Sequence, residues 1–243
     1  ITIIQYKTVN VDGLDVFYRE AGDPSKPAFV LLHGFPSSSS MFRNLMPLLA
    51  RNFHVLAPDL IGFGNSAAPS RESFEYTFEN LTGFLAALKV DQYFLYVFDY
   101  GAPIGFRLAM RHPERVLGIV SQNGNIYQEG LGPKWAERAK YWANPTPELR
   151  AQYESAFAPE TIKGQYLTGE KPGTVGPDGY SLDITHTTEP GYAERQDDLI
   201  FDYQTNVALY PQFQDYVRQY QPEILAAWGK NDPSFIYPGA PRS

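Results

Sequence analysis

The hydrophobic and polar positions in the first half of the chain alternate between strand-like and helix-like patterns. Alternating apolar residues over 6–10 and 14–20, joined at Asp12-Gly13, predict an antiparallel hairpin. Short continuous apolar runs, typical of strands buried on both faces, follow at 28–32, 53–57, 93–98, 116–120 and 224–228. Helix-like stretches separate the earlier runs, near 39–50, 75–89 and 102–112. This alternation predicts an α/β fold with a mostly parallel, doubly wound sheet.

The alternation stops in the middle of the chain. From Asn123 to Phe213 the sequence is rich in Tyr and Trp, is interrupted by Pro and Gly, and contains no run of the buried-strand type. Residues 169–183 have the composition of a loop. We therefore predict an inserted helical cap over 123–213, between a first core part at 1–122 and a second core part at 214–243.

The composition narrows the function classes. The chain has 243 residues, 43% of them hydrophobic, which suits one large domain with an insertion. A formal charge of −7 without a basic stripe argues against a nucleic-acid partner. No apolar run approaches the roughly 20 residues of a membrane-spanning helix. No signal peptide is visible, which makes the cytoplasm the default location, although the chain begins at Ile1 without a Met.

The residue types also limit the chemistry. The absence of Cys excludes disulfides, thiolate nucleophiles and Cys-type zinc sites. The sequence has no metal-spaced cluster of His and carboxylates and no phosphate-binding loop, so we expect neither a metal nor a cofactor. The oligomeric state is not indicated.

The most informative stretch surrounds Asp99. An apolar strand ends directly at Asp99, Gly101 follows two residues later, and a helix-like segment begins near Ala102. A sharp strand–turn–helix connection strains its central residue and needs small neighbours. It presents the central side chain at the carboxyl end of the sheet, beside a helix N-terminus that favours an anion. The alternative, an Asp that ends a strand and caps the next helix, stays open on this stretch alone.

The stretch from Phe94 to Gly105 resembles the nucleophile elbow of the α/β-hydrolase fold, with Asp99 where esterases have Ser. An Asp at this position resembles the epoxide hydrolases and haloalkane dehalogenases, whose carboxylate forms a covalent ester with an alkyl carbon. The chain departs from that pattern at Phe98 and Tyr100, where many members have His and Trp.

Three further motifs occur in the order of that family, and together they extend the resemblance over nearly the whole chain. They are the oxyanion loop at 33–36, a glycine-rich turn at 59–66 and a helix-to-strand turn at 111–116. The resemblance implies that the backbone N–H groups of Phe35 and Tyr100 form the oxyanion hole above Asp99, and that His33 braces the loop.

The resemblance also implies an acid and a base. Asp232, after the last predicted strand, is at the position of the acid, although a turn Asp before a Pro is the alternative reading. Some dehalogenases have the acid after the preceding strand, but residues 121–125 contain no carboxylate. The catalytic His of the family lies beyond the acid, after one more strand. We expect that the second core part is truncated before the final strand and helix, or that the natural protein has lost its base.

The choice between epoxides and halides depends on the residues around Asp99. Dehalogenases resemble one another in holding the leaving halide with a Trp after the nucleophile and often an Asn in the oxyanion loop, where this chain has Tyr100 and Phe35. Epoxide hydrolases use cap Tyr hydroxyls to donate a proton to the epoxide oxygen. Tyr203 is at the position of the second such Tyr, and Tyr141 or Tyr153 is a candidate for the first.

The resulting prediction is a hydrolase that opens small apolar epoxides through an ester of Asp99. Without an imidazole base, the chain is expected to stall at that ester. The alternatives are a haloalkane dehalogenase and a hydrolase-derived binding protein without turnover. A Ser-type esterase is disfavoured because the sequence has no Gly-x-Ser-x-Gly, and a fluoroacetate dehalogenase because residues 100–103 contain no Arg.

Overall fold

The computed structural model describes residues 3–70 and 73–237, so the outermost residues of both predicted core parts lie outside the described chain. The described residues form one sheet of seven strands: β1 (Gln5–Val11), β2 (Leu14–Ala21), β3 (Ala28–Leu32), β4 (His54–Pro58), β5 (Tyr93–Phe98), β6 (Val116–Gln122) and β7 (Ile224–Ala227). Each strand begins and ends within two residues of the predicted run.

The sheet has the strand order β1-β2-β4-β3-β5-β6-β7. β1 and β2 form the predicted antiparallel hairpin, and β2 is also antiparallel to β4. All other neighbouring strands are parallel. The prediction of a mostly parallel α/β sheet is therefore confirmed.

The helices follow the predicted positions in the core. They are α1 (Met46–Leu49), α2 (Phe74–Ala87), α3 (Gly101–Arg111), α4 (Lys134–Ala143), α5 (Pro147–Ala151), α6 (Pro159–Leu167), α7 (Asp178–Thr187) and α8 (Tyr192–Tyr220). The helix predicted over 39–50 is instead a 3₁₀ turn at Ser39–Phe42 followed by the single turn of α1. Ser38 caps the 3₁₀ turn by accepting from the Ser40 N–H, and such local bonds compete with a continuous helix.

Helices α4 to α8 lie between β6 and β7, where the cap is predicted. The predicted boundary at residue 213 falls inside α8, which continues to Tyr220. The last turns of α8 continue because they pack on the core: Phe213 is fully buried, and its ring centroid is 5.8 Å from that of Phe106 on α3. No helix of the described residues is long and apolar enough to cross a membrane.

A buried arginine joins α8 to the core helices. Arg107 on α3 is 2% exposed, and its guanidinium donates to the side chains of Asn206 and Thr205 on α8. It also donates to Glu75 Oε2 on α2 at 3.2 Å and to the Pro103 carbonyl at 3.3 Å. One cation therefore satisfies acceptors on three helices, which compensates for its removal from water.

We predict that Arg107→Met lowers the free energy of unfolding by about 3 kcal/mol, because it leaves several buried acceptors unpaired. The matched control is Arg111→Met, which removes the other ion pair to Glu75. Its side chain is 56% exposed, so the expected loss is below about 1 kcal/mol. Urea denaturation followed by tryptophan fluorescence measures both values, and equal losses would contradict the role assigned to Arg107.

Candidate active site

Asp99 connects β5 to α3 in a strained conformation. Its φ of 49° lies in the left-handed region, which a non-glycine residue adopts only where its surroundings impose it. The helix approaches the sheet closely after it. A Cβ at Gly101 would lie 2.5 Å from the Leu32 carbonyl oxygen, so only glycine fits there. The sequence pattern around Asp99 thus produces the sharp turn that it predicts.

Two backbone amides hold the Asp99 carboxylate. The Phe35 N–H donates to Asp99 Oδ1 at 2.8 Å, and the Tyr100 N–H also hydrogen-bonds to this carboxylate. Gly34 makes this arrangement sterically feasible, because a Cβ there would lie 2.3 Å from the Asp99 Cβ. The structure therefore brings together three of the residues selected from the sequence: Asp99, Phe35 and Tyr100.

His33 fixes the loop that carries the Phe35 amide. Its Nε2 accepts from the Leu60 N–H at 2.9 Å, so the ring proton resides on Nδ1 and is donated to the Gly34 carbonyl at 3.1 Å. Complete burial lowers the pKa of His33 and keeps the ring neutral. This imidazole is engaged on both nitrogens and acts on Asp99 only by positioning the loop.

The environment of Asp99 raises the pKa of its carboxyl group towards neutrality. Burial is the largest effect and raises the pKa of Asp99 to about 6. The amides of Phe35 and Tyr100 and the charge of Arg138 lower it, whereas the charge of Asp232 raises it. A carboxylate of this kind is ionised at neutral pH but poorly solvated, which suits a nucleophile.

Sequence reasoning missed Arg138. It considered arginines only directly after Asp99, whereas Arg138 lies on α4. Its guanidinium carbon lies 4.1 Å from the centroid of the Trp135 ring, which itself packs on Tyr203 at 4.4 Å. Tyr203 continues the contact to Tyr100, with ring centroids 5.9 Å apart. The spacing of residues 135 and 138 places them on one helix face, but the sequence does not show which element that face meets.

Tyr203 packs on Tyr100, the residue that follows Asp99. It is 1% exposed and packs on Phe74, Trp135 and Tyr100. Its hydroxyl is 3.0 Å from the hydroxyl of Tyr210, one of the residues that sequence reasoning did not select. Burial is the main cause that raises the pKa of Tyr203, with the charge of Asp99 contributing, so the hydroxyl holds its proton at neutral pH.

Tyr141 lies in a different part of the cap. Its ring centroid is 5.5 Å from that of Tyr153 and 5.4 Å from that of Phe201. It belongs to a separate apolar cluster with Phe157 and Ile200, which borders the site at Phe35. The structure therefore does not place Tyr141 beside Tyr203, and its selection as a substrate-binding residue stays a prediction.

Asp232 follows β7 and is held by a residue at the end of β6. Its Oδ2 accepts from Asn123 Nδ2 at 2.5 Å, and its Oδ1 accepts from the backbone N–H groups of Ser234 and Phe235 at 2.8 and 3.1 Å. Asn123 also accepts from the Gly229 N–H at 3.0 Å. Sequence reasoning noted this position only for its lack of a carboxylate and missed the partner that it supplies to Asp232.

The other three histidines are engaged elsewhere. His54 Nε2 is 2.6 Å from Glu20, His112 Nδ1 is 3.9 Å from Glu114, and His186 Nδ1 is 3.1 Å from Glu189. The described ranges include all four histidines of the chain, and none of these contacts involves Asp99 or Asp232. Within those ranges, no group of three or more His or carboxylate side chains is arranged to hold a metal ion.

Comparison with known proteins gives a family. The profile of a family described as alpha/beta hydrolase fold matches residues 27–162, more than half of the chain. An uncharacterized hydrolase of Saccharomyces cerevisiae is 43% identical over 238 residues, which cover 94% of this chain and 81% of the yeast protein.

Two further proteins are similar to only part of the sequence or to the fold alone. A haloalkane dehalogenase of Bradyrhizobium diazoefficiens is 37% identical over 118 residues, 48% of this chain and 38% of that protein. The structure of the epoxide hydrolase CorEH superposes with a TM-score of 0.74 at 18% identity, covering 96% of this chain and 93% of that one. At that identity the structural similarity shows the shared fold alone.

We predict that Gly34→Ala removes the Phe35–Asp99 hydrogen bond, since the new methyl group would displace the Asp99 side chain. The expected loss is about 1–3 kcal/mol of unfolding free energy, typical of overpacking. Gly164→Ala is the control, because a Cβ there meets nothing within 4 Å. Urea denaturation of both variants measures the difference. An unchanged free energy of unfolding in Gly34→Ala would contradict the close approach of Gly34 to the Asp99 side chain.

The raised pKa of Asp99 predicts a pH-dependent cost in stability. The folded pKa of about 6 exceeds the unfolded value near 3.9, so stability falls as the pH rises between these values. Asp99→Asn should therefore stabilise the protein by up to about 3 kcal/mol at pH 7.5, and this gain should shrink as the pH falls towards 4.5. The control Asp198→Asn changes a carboxylate that is 50% exposed. An equal gain for Asp99→Asn at both pH values would contradict the prediction.

Proposed function

The chain belongs to the alpha/beta hydrolase fold family, and from that membership we propose that it opens small apolar epoxides through a covalent ester of Asp99. The observation that carries this proposal is the pairing of a carboxylate and a proton donor. Asp99 is held by the amides of Phe35 and Tyr100, and the ring of the buried Tyr203 packs on that of Tyr100, with the charge of Asp99 contributing to the raised pKa of Tyr203.

The proposed first step is attack on an epoxide carbon. Asp99 Oδ1 accepts the Phe35 N–H, so Oδ2 is the oxygen that attacks. The C–O bond of the ring breaks, its electron pair stays on the epoxide oxygen, and that oxygen takes a proton from the Tyr203 hydroxyl. Oδ1 becomes the carbonyl oxygen of the ester. The Phe35 and Tyr100 amides are then in place to stabilise the anion that forms when water attacks this ester.

The second step needs a base that activates water. Asp232, held by Asn123, is the proposed partner of such a base. The four imidazoles of this chain are engaged elsewhere. The 243-residue chain, assayed as such, is therefore expected to accumulate the Asp99 ester.

Indole geometry favours an epoxide over a halide. The chain has three Trp residues, and all three indole N–H groups donate to backbone carbonyls. Trp135 donates to Ser234 at 3.0 Å, Trp142 to Ile200 at 2.9 Å and Trp228 to Phe235 at 2.8 Å. No indole N–H is left to hold a leaving halide, whereas the tyrosine hydroxyls suit a developing alkoxide. A haloalkane dehalogenase, the activity in the name of one relative, is the second candidate.

The substrate class follows from the surroundings of Asp99. The rings of Phe35, Phe74, Tyr100, Trp135 and Tyr203 form an aromatic cluster, and two of its members, Phe35 and Tyr100, contact Asp99 through their backbone amides. Such a lining favours a small apolar molecule with one polar reacting group.

We predict that incubation with styrene oxide at pH 7.5 increases the intact mass by the whole mass of the epoxide, and that peptide mapping places the adduct on Asp99. Asp99→Asn is the control, because it keeps the shape of the side chain and removes the nucleophile. In parallel, 1-bromobutane tests for displacement of a halide, which adds only the butyl group.

The outcomes separate the candidates. A butyl adduct on Asp99 without a styrene oxide adduct would favour the dehalogenase. No adduct from either reagent in a folded chain would reject both enzymatic candidates, and measurable affinity for the reagents would then indicate a binding protein.

A further inference from the structure

Behind Tyr203 the structure contains a short chain of hydrogen bonds between buried groups. The Tyr203 and Tyr210 hydroxyls are 3.0 Å apart, and Asn125 Nδ2 is 3.2 Å from the Tyr210 hydroxyl. Tyr203 and Tyr210 are each 1% exposed and Asn125 is fully buried. Burial raises the pKa of both hydroxyls, and the charge of Asp99 contributes to each shift. The direction of this chain decides which hydroxyl keeps a proton for a ligand.

The orientation of the Asn125 amide is fixed by Tyr127. Asn125 Oδ1 accepts the Tyr127 N–H at 3.1 Å, and Nδ2 donates to the Tyr127 carbonyl at 2.9 Å. If the amide were flipped, its NH2 group would face the Tyr127 N–H and its oxygen would face the Tyr127 carbonyl, so both hydrogen bonds would be lost. The group that faces Tyr210 is therefore an N–H donor, and the Tyr210 oxygen is its acceptor.

Counting protons then leaves one hydroxyl hydrogen unused. The 3.0 Å contact between the two hydroxyls fits either of them as the donor. In the arrangement where Tyr210 accepts from Asn125 and donates to Tyr203, the proton of Tyr203 has no acceptor among the three residues. A buried O–H without an acceptor is unfavourable, unless a ligand oxygen or the nearby carboxylate receives it. Tyr203 is the member of the pair that packs on Tyr100, next to Asp99, with ring centroids 5.9 Å apart.

We propose that Asn125 and Tyr210 are positioning residues that direct the proton of Tyr203 towards the oxygen of an epoxide bound at Asp99. This inference rests on the proposed function and adds two residues to it. When the ring opens, the Tyr203 proton moves to the epoxide oxygen and a phenolate remains on Tyr203. The Tyr210 hydroxyl, itself held by Asn125, donates to that phenolate and stabilises it. Solvent returns the proton afterwards.

The test compares two electrophiles on the same nucleophile. Opening of styrene oxide needs a proton on its oxygen, whereas 1-bromobutane loses bromide with its electron pair and needs none. The rate of ester formation at Asp99 is followed by intact mass at pH 7.5 for both reagents, and the urea midpoint of each variant replaces the bromide rate as the control for the fold if the parent chain forms no butyl adduct. Damage to the fold or to Asp99 slows both reactions, but loss of the directed proton slows only the epoxide reaction.

Tyr210→Phe is expected to slow the reaction with styrene oxide about tenfold or more, which corresponds to the loss of one hydrogen bond to a charged oxygen. The reaction with 1-bromobutane is expected to change by less than about threefold. Tyr216→Phe is the matched control, since Tyr216 is on the same helix and 3% exposed but takes no part in the hydrogen bonds that join Asn125, Tyr210 and Tyr203. It should leave both rates unchanged.

Asn125→Asp tests the donor-to-acceptor direction of the hydrogen bonds from Asn125 through Tyr210 to Tyr203. An ionised Asp at this position accepts from Tyr210, so Tyr210 turns its proton away from Tyr203, and Tyr203 then donates to Tyr210. The epoxide reaction should fall by about 100-fold, as expected for loss of a general acid in Tyr203→Phe, while the 1-bromobutane reaction persists. If this variant does not fold, Tyr210→Phe, which removes only an oxygen atom, carries the test.

Two results have different meanings. Unchanged epoxide rates in Tyr210→Phe, or equal losses with both reagents, would overturn the positioning role while Asp99 still forms its epoxide adduct in the parent chain. Absence of that adduct in the parent chain would instead overturn the proposed function, and the positioning role with it.

Discussion

The site depends on how closely two backbones approach Asp99. The residue is in a left-handed conformation at the point where β5 ends, and it stays there because the loop before it and the helix after it leave no room for another arrangement. Gly34 contacts the Asp99 side chain itself, and Gly101 contacts the carbonyl of Leu32. The same approach that imposes strain on Asp99 brings the Phe35 amide to its oxygen. Strain and stabilisation of the carboxylate thus have one structural cause.

The electrostatics of the site combine opposing effects, of which burial is the largest. Burial favours the neutral acid, whereas two amides and the charge of Arg138 favour the carboxylate. The result is an anion that is available at neutral pH but is not neutralised by a close ion pair. Full pairing would make it a weaker nucleophile, and full burial without amides would keep it protonated. The neutral ring of His33 preserves this balance because it adds no charge of its own.

The sequence predicted the parts of the site that follow directly from strand ends. Asp99, Phe35 and Asp232 each follow a buried strand, and the carboxyl ends of parallel strands meet at one edge of the sheet. Tyr210, Arg138 and Asn125 were not selected, because their contacts depend on how α4 and α8 pack against the rest of the chain. Tyr141 was selected for its residue type and position along the chain, but the packing of α4 places its ring among Tyr153 and Phe201. The fold was predictable almost throughout because strand burial leaves a local pattern.

The hydrogen bond between Asn123 and Asp232 has a consequence for how such a site changes during evolution. The two residues follow adjacent strands, and 2.5 Å separates Asn123 Nδ2 from Asp232 Oδ2. A carboxylate at either residue would therefore reach the same point. The two single substitutions Asn123→Asp and Asp232→Asn would move this carboxylate from one strand end to the next without moving the backbone. The intermediate with two carboxylates holds like charges in contact, which keeps one proton bound between them. When Asn123→Asp comes first, the exchange passes through a site of altered acidity, and a carboxylate is present at every step.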